Sequence, residues 1–269
     1  MPDVYANITS ADRATQERLV TAMELRAAEP RQREILETYL AWIDLPENAR
    51  VLEVGSGTGA ATRVLGRRRG IAEVVGIDPS PVFLAKAREL AAEHRHVTFR
   101  EGDVRALEFE EGAFDVAVAH TCLTHVPGSD QALRELFRVL RAGGSLAVFD
   151  GDYASTTLAC GDHDPIQCCA DAAMAALVHD RWLARRLPSL VKSAGFDIVR
   201  FDGHAYVQTI EPSYLLTLVD RGADALANGG TIGRELAEAL KAEARRRVEA
   251  GGFYGSITFA SLIARKPAR

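Results

Sequence analysis

Residues 50–65 read RVLEVGSGTGAATRVL. A run rich in Val and Leu meets Gly55, Gly57 and Gly59, and helix-forming residues follow. Glycine admits positive φ and lets another group approach the backbone, so this turn predicts a ligand across a strand-to-helix junction. The pattern continues outward. EVVGID reads as a second strand, followed by a helix from about Ser80 to His94 and then the strand HVTFRE. FDVAVAH, a helix from about Asp130 to Leu140 and GSLAVFD come next. Strands that alternate with helices and carry Val, Ile and Leu predict a parallel sheet covered on both faces.

The flanks are less regular. Residues 11–43 read as amphipathic helix, with Leu19, Met23, Leu36, Leu40 and Ile43 among the apolar positions. GDYASTTLACGDHDP (151–165) has loop composition. Helices are expected over Ile166 to His179, over Arg181 to Ala194, and twice within 212–250. FDIVRF and YGSITFASLIARKP read as the last two strands.

Composition narrows the function classes. Of 269 residues, 47% are hydrophobic and 26% charged, which suffices for a sizeable core. A net charge of -5 argues against nucleic acid as a partner. No apolar run has the length of a membrane span, and the N-terminus lacks an apolar leader core, so a cytoplasmic protein is expected. Cys122, Cys160, Cys168 and Cys169 lack the paired spacing of a zinc site, so no metal is expected. Structural or incidental cysteines are the main reading, with a thiol-binding role as the alternative.

Two ligand classes fit the turn. Gly55, Gly57 and Ala60 satisfy G-x-G-x-x-[GA], and Asp78 lies near the distance expected of a ribose-binding acid in a dinucleotide site. S-adenosylmethionine is the other class. Glu53 makes the motif E-x-G-x-G-x-G, and a carboxylate there suits a cationic cofactor better than an anionic diphosphate. Asp78 ends the second strand, Asp103 follows the third in REGDVRAL, and His120 ends the fourth. Polar groups at successive strand ends suit a cofactor along the carboxyl edge of an open sheet.

This ordered series resembles the class I S-adenosylmethionine-dependent methyltransferases, especially the ubiquinone/menaquinone-methyltransferase-like group. The resemblance covers roughly residues 50–150 and extends loosely to the last strands. It implies a Rossmann-like seven-stranded, mostly parallel sheet with the last strand antiparallel. It also implies a helical cap. Residues 1–48 would form the N-terminal cap segment, and 49–269 the main domain with cap insertions at about 151–180 and 204–250. By the same resemblance, Glu53, Gly55, Ser56 and Gly57 hold the methionine portion of the cofactor. Asp78 binds ribose beside Pro79 and Ser80, Asp103 and Val104 flank adenine, and His120 lies near the sulfonium. Asp78 as a helix cap and Asp103 as a turn residue are the plainer alternatives.

A hydroxyl acceptor needs a general base, and an imidazole suits that task near neutrality. His120 and His125 in AHTCLTHVPG are the candidates, followed by Asp150, Asp152 and Tyr153 in FDGDYAS. Tyr5, Trp182, Tyr206, Phe253 and Tyr254 are candidates for an aromatic pocket wall, with core packing as the alternative. The basic run KAEARRRVEAGG reads as a solvated helix face. The expected function is methyl transfer to an enclosed small molecule, at oxygen or nitrogen before carbon. A non-methylating relative and a dinucleotide-dependent oxidoreductase are the rivals.

Overall fold

The computed structural model describes residues 3–268. Seven strands form one sheet: β1 Ala49–Val54, β2 Ile71–Asp78, β3 Val97–Glu101, β4 Phe114–His120, β5 Leu140–Thr157, β6 Asp197–Gln208 and β7 Gly255–Arg265. Their order is β3-β2-β1-β4-β5-β7-β6. Strands β1 to β5 pair in parallel, and β7 runs antiparallel to both β5 and β6. This is the Rossmann-like sheet expected above.

Nine helices are described: α1 Arg13–Ala28, α2 Pro30–Leu40, α3 Ala60–Gly66, α4 Pro81–Leu90, α5 Ser129–Val139, α6 Gln167–Leu177, α7 Leu183–Ser193, α8 Ser213–Asn228 and α9 Arg234–Glu249. Neighbouring strand residues face opposite sides. Val51 belongs to one core with Leu36 of α2, Leu65 of α3 and Leu218 of α8, while Leu52 belongs to a second with Leu133 of α5 and Leu187 of α7. This two-sided burial explains why the central strands read as near-continuous apolar runs. Helices α6, α8 and α9 join the first core through Ala173, Ala223 and Leu240. A Cβ at Gly222 of α8 would stand 1.9 Å from the Cys169 carbonyl oxygen, so only glycine lets α8 pass α6 this closely.

The loop composition of 151–157 is overridden. This stretch continues β5, with Gly151 opposite Phe259 and Asp152 opposite Thr258 of β7. Residues 204–208 likewise extend β6 against β7. Pairing with a long partner strand outweighs weak local β preference. The helix expected from Ser80 to His94 ends at Leu90. The elements converge at the carboxyl ends of β1, β2, β4 and β5, where α1 and α8 close over the sheet edge.

Candidate active site

The glycine turn follows β1 directly. Gly55, Gly57 and Gly59 have φ of 62°, 52° and 77°, a region that L side chains rarely adopt. A Cβ at Gly55 would sit 2.3 Å from Cys122 Sγ, so the backbone here is pressed against the segment that follows β4. The turn forms one wall of a large cavity. Glu53, Gly55, Ser56, Gly57, Asp78 and Pro79 line that wall. His120 at the end of β4, Thr121 and Cys122 just after it and Tyr153 of β5 also line it, with Tyr5 and Arg26 from the N-terminal segment and α1 and Tyr214 and Arg221 from α8.

Two acids define the sheet side. Asp78 is buried; its Oδ2 accepts from the Gly57 amide and its Oδ1 from the Ser80 amide, each at 2.9 Å. Burial still raises its pKa to about 6 against those two bonds. Glu53 is also buried and accepts a hydrogen bond from the Thr62 hydroxyl. Burial raises it to about 8, with Thr62 and Arg63 opposing the shift. Two desolvated carboxyls with depressed acidity on one wall are a site suited to a cation.

His120 stacks on Phe149, with ring centroids 4.9 Å apart, and its Nδ1 lies 2.8 Å from the Tyr39 hydroxyl. Burial and the nearby Arg26 charge lower its pKa to about 3. It is therefore a neutral, weakly basic imidazole. His125 differs. Its Nδ1 lies 2.7 Å from Asp3 Oδ2, which also accepts from the His179 amide at 2.8 Å. Asp3 Oδ1 accepts from the Tyr5 amide at 2.8 Å, and the Tyr5 ring packs 4.7 Å from the imidazole. A carboxylate is acceptor-only, so Nδ1 donates and Nε2 is the ring nitrogen left for another partner. Thr121 carries a φ of 49°, an outlier for a β-branched residue. Its hydroxyl accepts from the Arg26 guanidinium at 2.7 Å.

Four expected site residues lie elsewhere. Asp103 is turned to Arg105, two residues on, and its side chain is 44% exposed. A local guanidinium has claimed the carboxylate that the resemblance assigned to adenine. Val104 packs in the second apolar core. Ser80 caps α4, accepting from the Phe83 amide at 3.2 Å while donating to Gln16. Asp152 pairs with Arg185 at 2.9 Å and does not line the cavity.

Among the other candidates, Asp150 is buried and accepts from the Thr124 and Gly151 amides, with burial raising it to about 6. Tyr5 and Tyr153 line the cavity. Tyr206 and Phe253 belong to the core, while Trp182 and Tyr254 are exposed.

The cysteines are scattered. Cys160 and Cys168 are exposed, Cys169 is in the first core, and Cys122 lines the cavity. Burial and nearby carboxylates push the Cys122 thiol well up, so it is no ready nucleophile. No cluster of three or more metal-ligating side chains occurs among the described residues. No helix described is long and apolar enough to cross a membrane.

Asp3, Arg26, Tyr214 and Arg221 carried no signal in the sequence, because each reaches the site from a distant element. His125 and Asp3 are 122 residues apart.

Comparison with known proteins agrees with this geometry. A methyltransferase-domain family model matches residues 52–148. The 2-phytyl-1,4-naphtoquinone methyltransferase of Thermosynechococcus vestitus is 36% identical over 117 residues, 43% of this chain and 52% of that protein. The demethylmenaquinone methyltransferase of Thermus thermophilus is 41% identical over 102 residues, 38% and 46% of the two chains. The chain thus spans about half the length of these curated relatives. The crystal structure of the [4+2]-cyclase SpnF superposes with a TM-score of 0.56 at 26% identity, covering 88% of this chain and 82% of that one.

The cofactor of such domains fits the residues present. Ser56 Oγ is buried without a hydrogen-bond partner on the cavity wall, Gly55 and Gly57 line the cavity beside it, and Glu53 and Asp78 place two buried acids on the same wall. With its glycine turn, acid wall and sheet order, the matched stretch, residues 52–148, is similar to the domains of class I S-adenosylmethionine-dependent methyltransferases.

Proposed function

We propose that the protein methylates a small molecule enclosed between the sheet edge and the helical cap, at oxygen or nitrogen. S-adenosylmethionine, when bound, supplies a methyl group on a sulfonium sulfur. Glu53, Gly55, Ser56 and Gly57 would hold its methionine portion and Asp78 its ribose. Tyr5, Ile8 and Met23 from the N-terminal segment, with Tyr214 and Leu218 of α8, cover the opposite side and exclude water.

The observation that carries the acceptor chemistry is the Asp3–His125 pair on the cavity wall. Asp3 holds Nδ1–H, so a neutral Nε2 can take the proton from a hydroxyl as its oxygen attacks, or from an ammonium before its nitrogen attacks. His120, with its pKa near 3, serves as a wall and not as the base.

The test is turnover with isotopically labelled S-adenosylmethionine and a panel of small hydroxy and amino compounds, followed by mass spectrometry. Acceptor-dependent formation of S-adenosylhomocysteine together with a labelled product is expected. The similarity to SpnF makes the other outcome concrete. A compound converted without S-adenosylhomocysteine formation would replace this reading with a non-methylating one.

A further inference from the structure

The cavity is electrically two-sided, and its cap side has a charge without a partner. Elsewhere in the molecule other half-buried arginines are engaged: Arg63 with Glu24, Arg138 with Glu135, Arg247 with Asp164, and Arg68 with the Leu40 carbonyl. Arg26 and Arg221 both line the cavity and pair with no carboxylate among the described residues. Arg26 has only the Thr121 hydroxyl at 2.7 Å and the neighbouring phenols.

Three tyrosines complete the cluster. Tyr5 lies in the field of Arg221, Arg26 and Tyr214, and Tyr153 in that of Tyr214, Arg26 and Tyr5. Burial raises the pKa of Tyr5 and Tyr153, so both remain neutral donors near neutrality and offer the arginines no countercharge. The acids nearby are already engaged. Asp3 holds His125 and two amides, and Asp150 accepts from the Thr124 and Gly151 amides. Glu53 and Asp78 belong to the opposite wall.

A desolvated guanidinium without a counterion is unfavourable unless a ligand supplies one. The cofactor brings a single carboxylate, which accounts for at most one of the two guanidiniums.

We propose, resting on the methyltransferase reading above, that the acceptor is itself an acid. Its oxyanion, a carboxylate or phosphate, is held by Arg221, Arg26 and the Tyr5, Tyr153 and Tyr214 hydroxyls. Forked guanidinium donors and phenol O–H groups are the chemistry that recognises such an anion. Leu218, Val178 and Met174 line the same cavity, so an apolar body joins the oxyanion to the nucleophilic atom. Anchoring the acidic end on the cap would present the other end to His125 and the cofactor methyl.

The experiment titrates three probes of one shape into protein saturated with S-adenosylhomocysteine: phenylacetate, phenyl phosphate and the neutral phenylacetamide. An anion is expected to bind about tenfold or more tighter than the amide, as two charge-assisted hydrogen bonds warrant. The stronger of the two anions identifies the source. R221Q should collapse that preference, and R221K, which keeps the charge, should retain part of it. Melting curves establish that each variant is folded.

Equal binding of anions and amide overturns the inference, as does failure of all three to bind while S-adenosylhomocysteine binds. A preference that survives the R26Q/R221Q double variant also overturns it. If R221Q weakens S-adenosylhomocysteine and leaves the preference intact, the guanidinium serves the cofactor and the inference fails. Absence of S-adenosylhomocysteine binding instead sinks the proposed function, and the anion preference is then read in the unliganded protein.

Discussion

Glu53→Gln should make the unliganded protein more stable, with a pH dependence that identifies the cause. Burial lifts Glu53 to about 8 in the fold, against an ordinary value of 4.5. At about pH 7 the unfolded chain therefore carries this carboxyl ionised, while the folded chain must hold it protonated. That pH lies about 2.5 above the ordinary value, and each pH step is about 1.4 kcal/mol, so folding loses about 3 kcal/mol. The sign follows from linkage. A carboxyl raised in the fold contributes fully below its unfolded pKa, and that contribution is lost as pH rises through the folded one.

Glutamine keeps an acceptor for Thr62 but has no charge to suppress. The stability gap between variant and wild type should be near zero at about pH 4, reach about 3 kcal/mol near pH 7 and level off above about pH 8. Urea unfolding at several pH values reads it directly, provided the slopes agree. A gap that does not change with pH, or a less stable variant at pH 7, refutes the reasoning. The same variant should bind S-adenosylmethionine more weakly than wild type does, because glutamine cannot ionise against the bound cation. A stability sacrificed at a binding site is a common trade.

Three further outcomes are expected. S-adenosylmethionine binding near pH 7 should release up to about one proton, since a cation favours ionised Glu53; calorimetry in two buffers of different ionisation enthalpy measures it, and S-adenosylhomocysteine, without a sulfonium, should release less. Gly55→Ala should abolish cofactor binding, because the left-handed φ and the contact with Cys122 Sγ cannot both be kept; unchanged affinity in a folded variant would contradict the cradle. His125→Ala should lower turnover of a hydroxyl acceptor about 100-fold or more, and Asp3→Asn should lower kcat with cofactor affinity retained; normal rates in both variants would remove the pair from the chemistry.

The sheet was legible because buried parallel strands leave continuous Val, Ile and Leu runs, and the glycine turn because positive φ restricts residue choice. Glu53 and Asp78 were legible for the same local reason: each sits within a few residues of the turn or strand end that positions it. Asp103 pairs with Arg105 two residues away and does not line the cavity, since spacing alone does not say which partner a carboxylate takes. Asp152 went the same way, claimed by Arg185 of α7. The rest of the cavity was legible only in part: Tyr5, His120, His125 and Tyr153 could be named from the sequence, and the residues beside them could not. Asp3, Arg26 and Arg221 come from the N-terminus, α1 and α8, and meet only through tertiary packing. The strand extensions at 151–157 and 204–208 depend on each other's pairing with β7 and have no local signature.

The central claim is that the acid-walled turn between β1 and α3 binds a cationic methyl donor and not a dinucleotide. Calorimetric titration of the purified protein with S-adenosylmethionine, S-adenosylhomocysteine and NAD tests this most directly. Saturable binding of the first two at one site per chain is predicted, with no heat from NAD. Tight NAD binding without S-adenosylmethionine binding would contradict it.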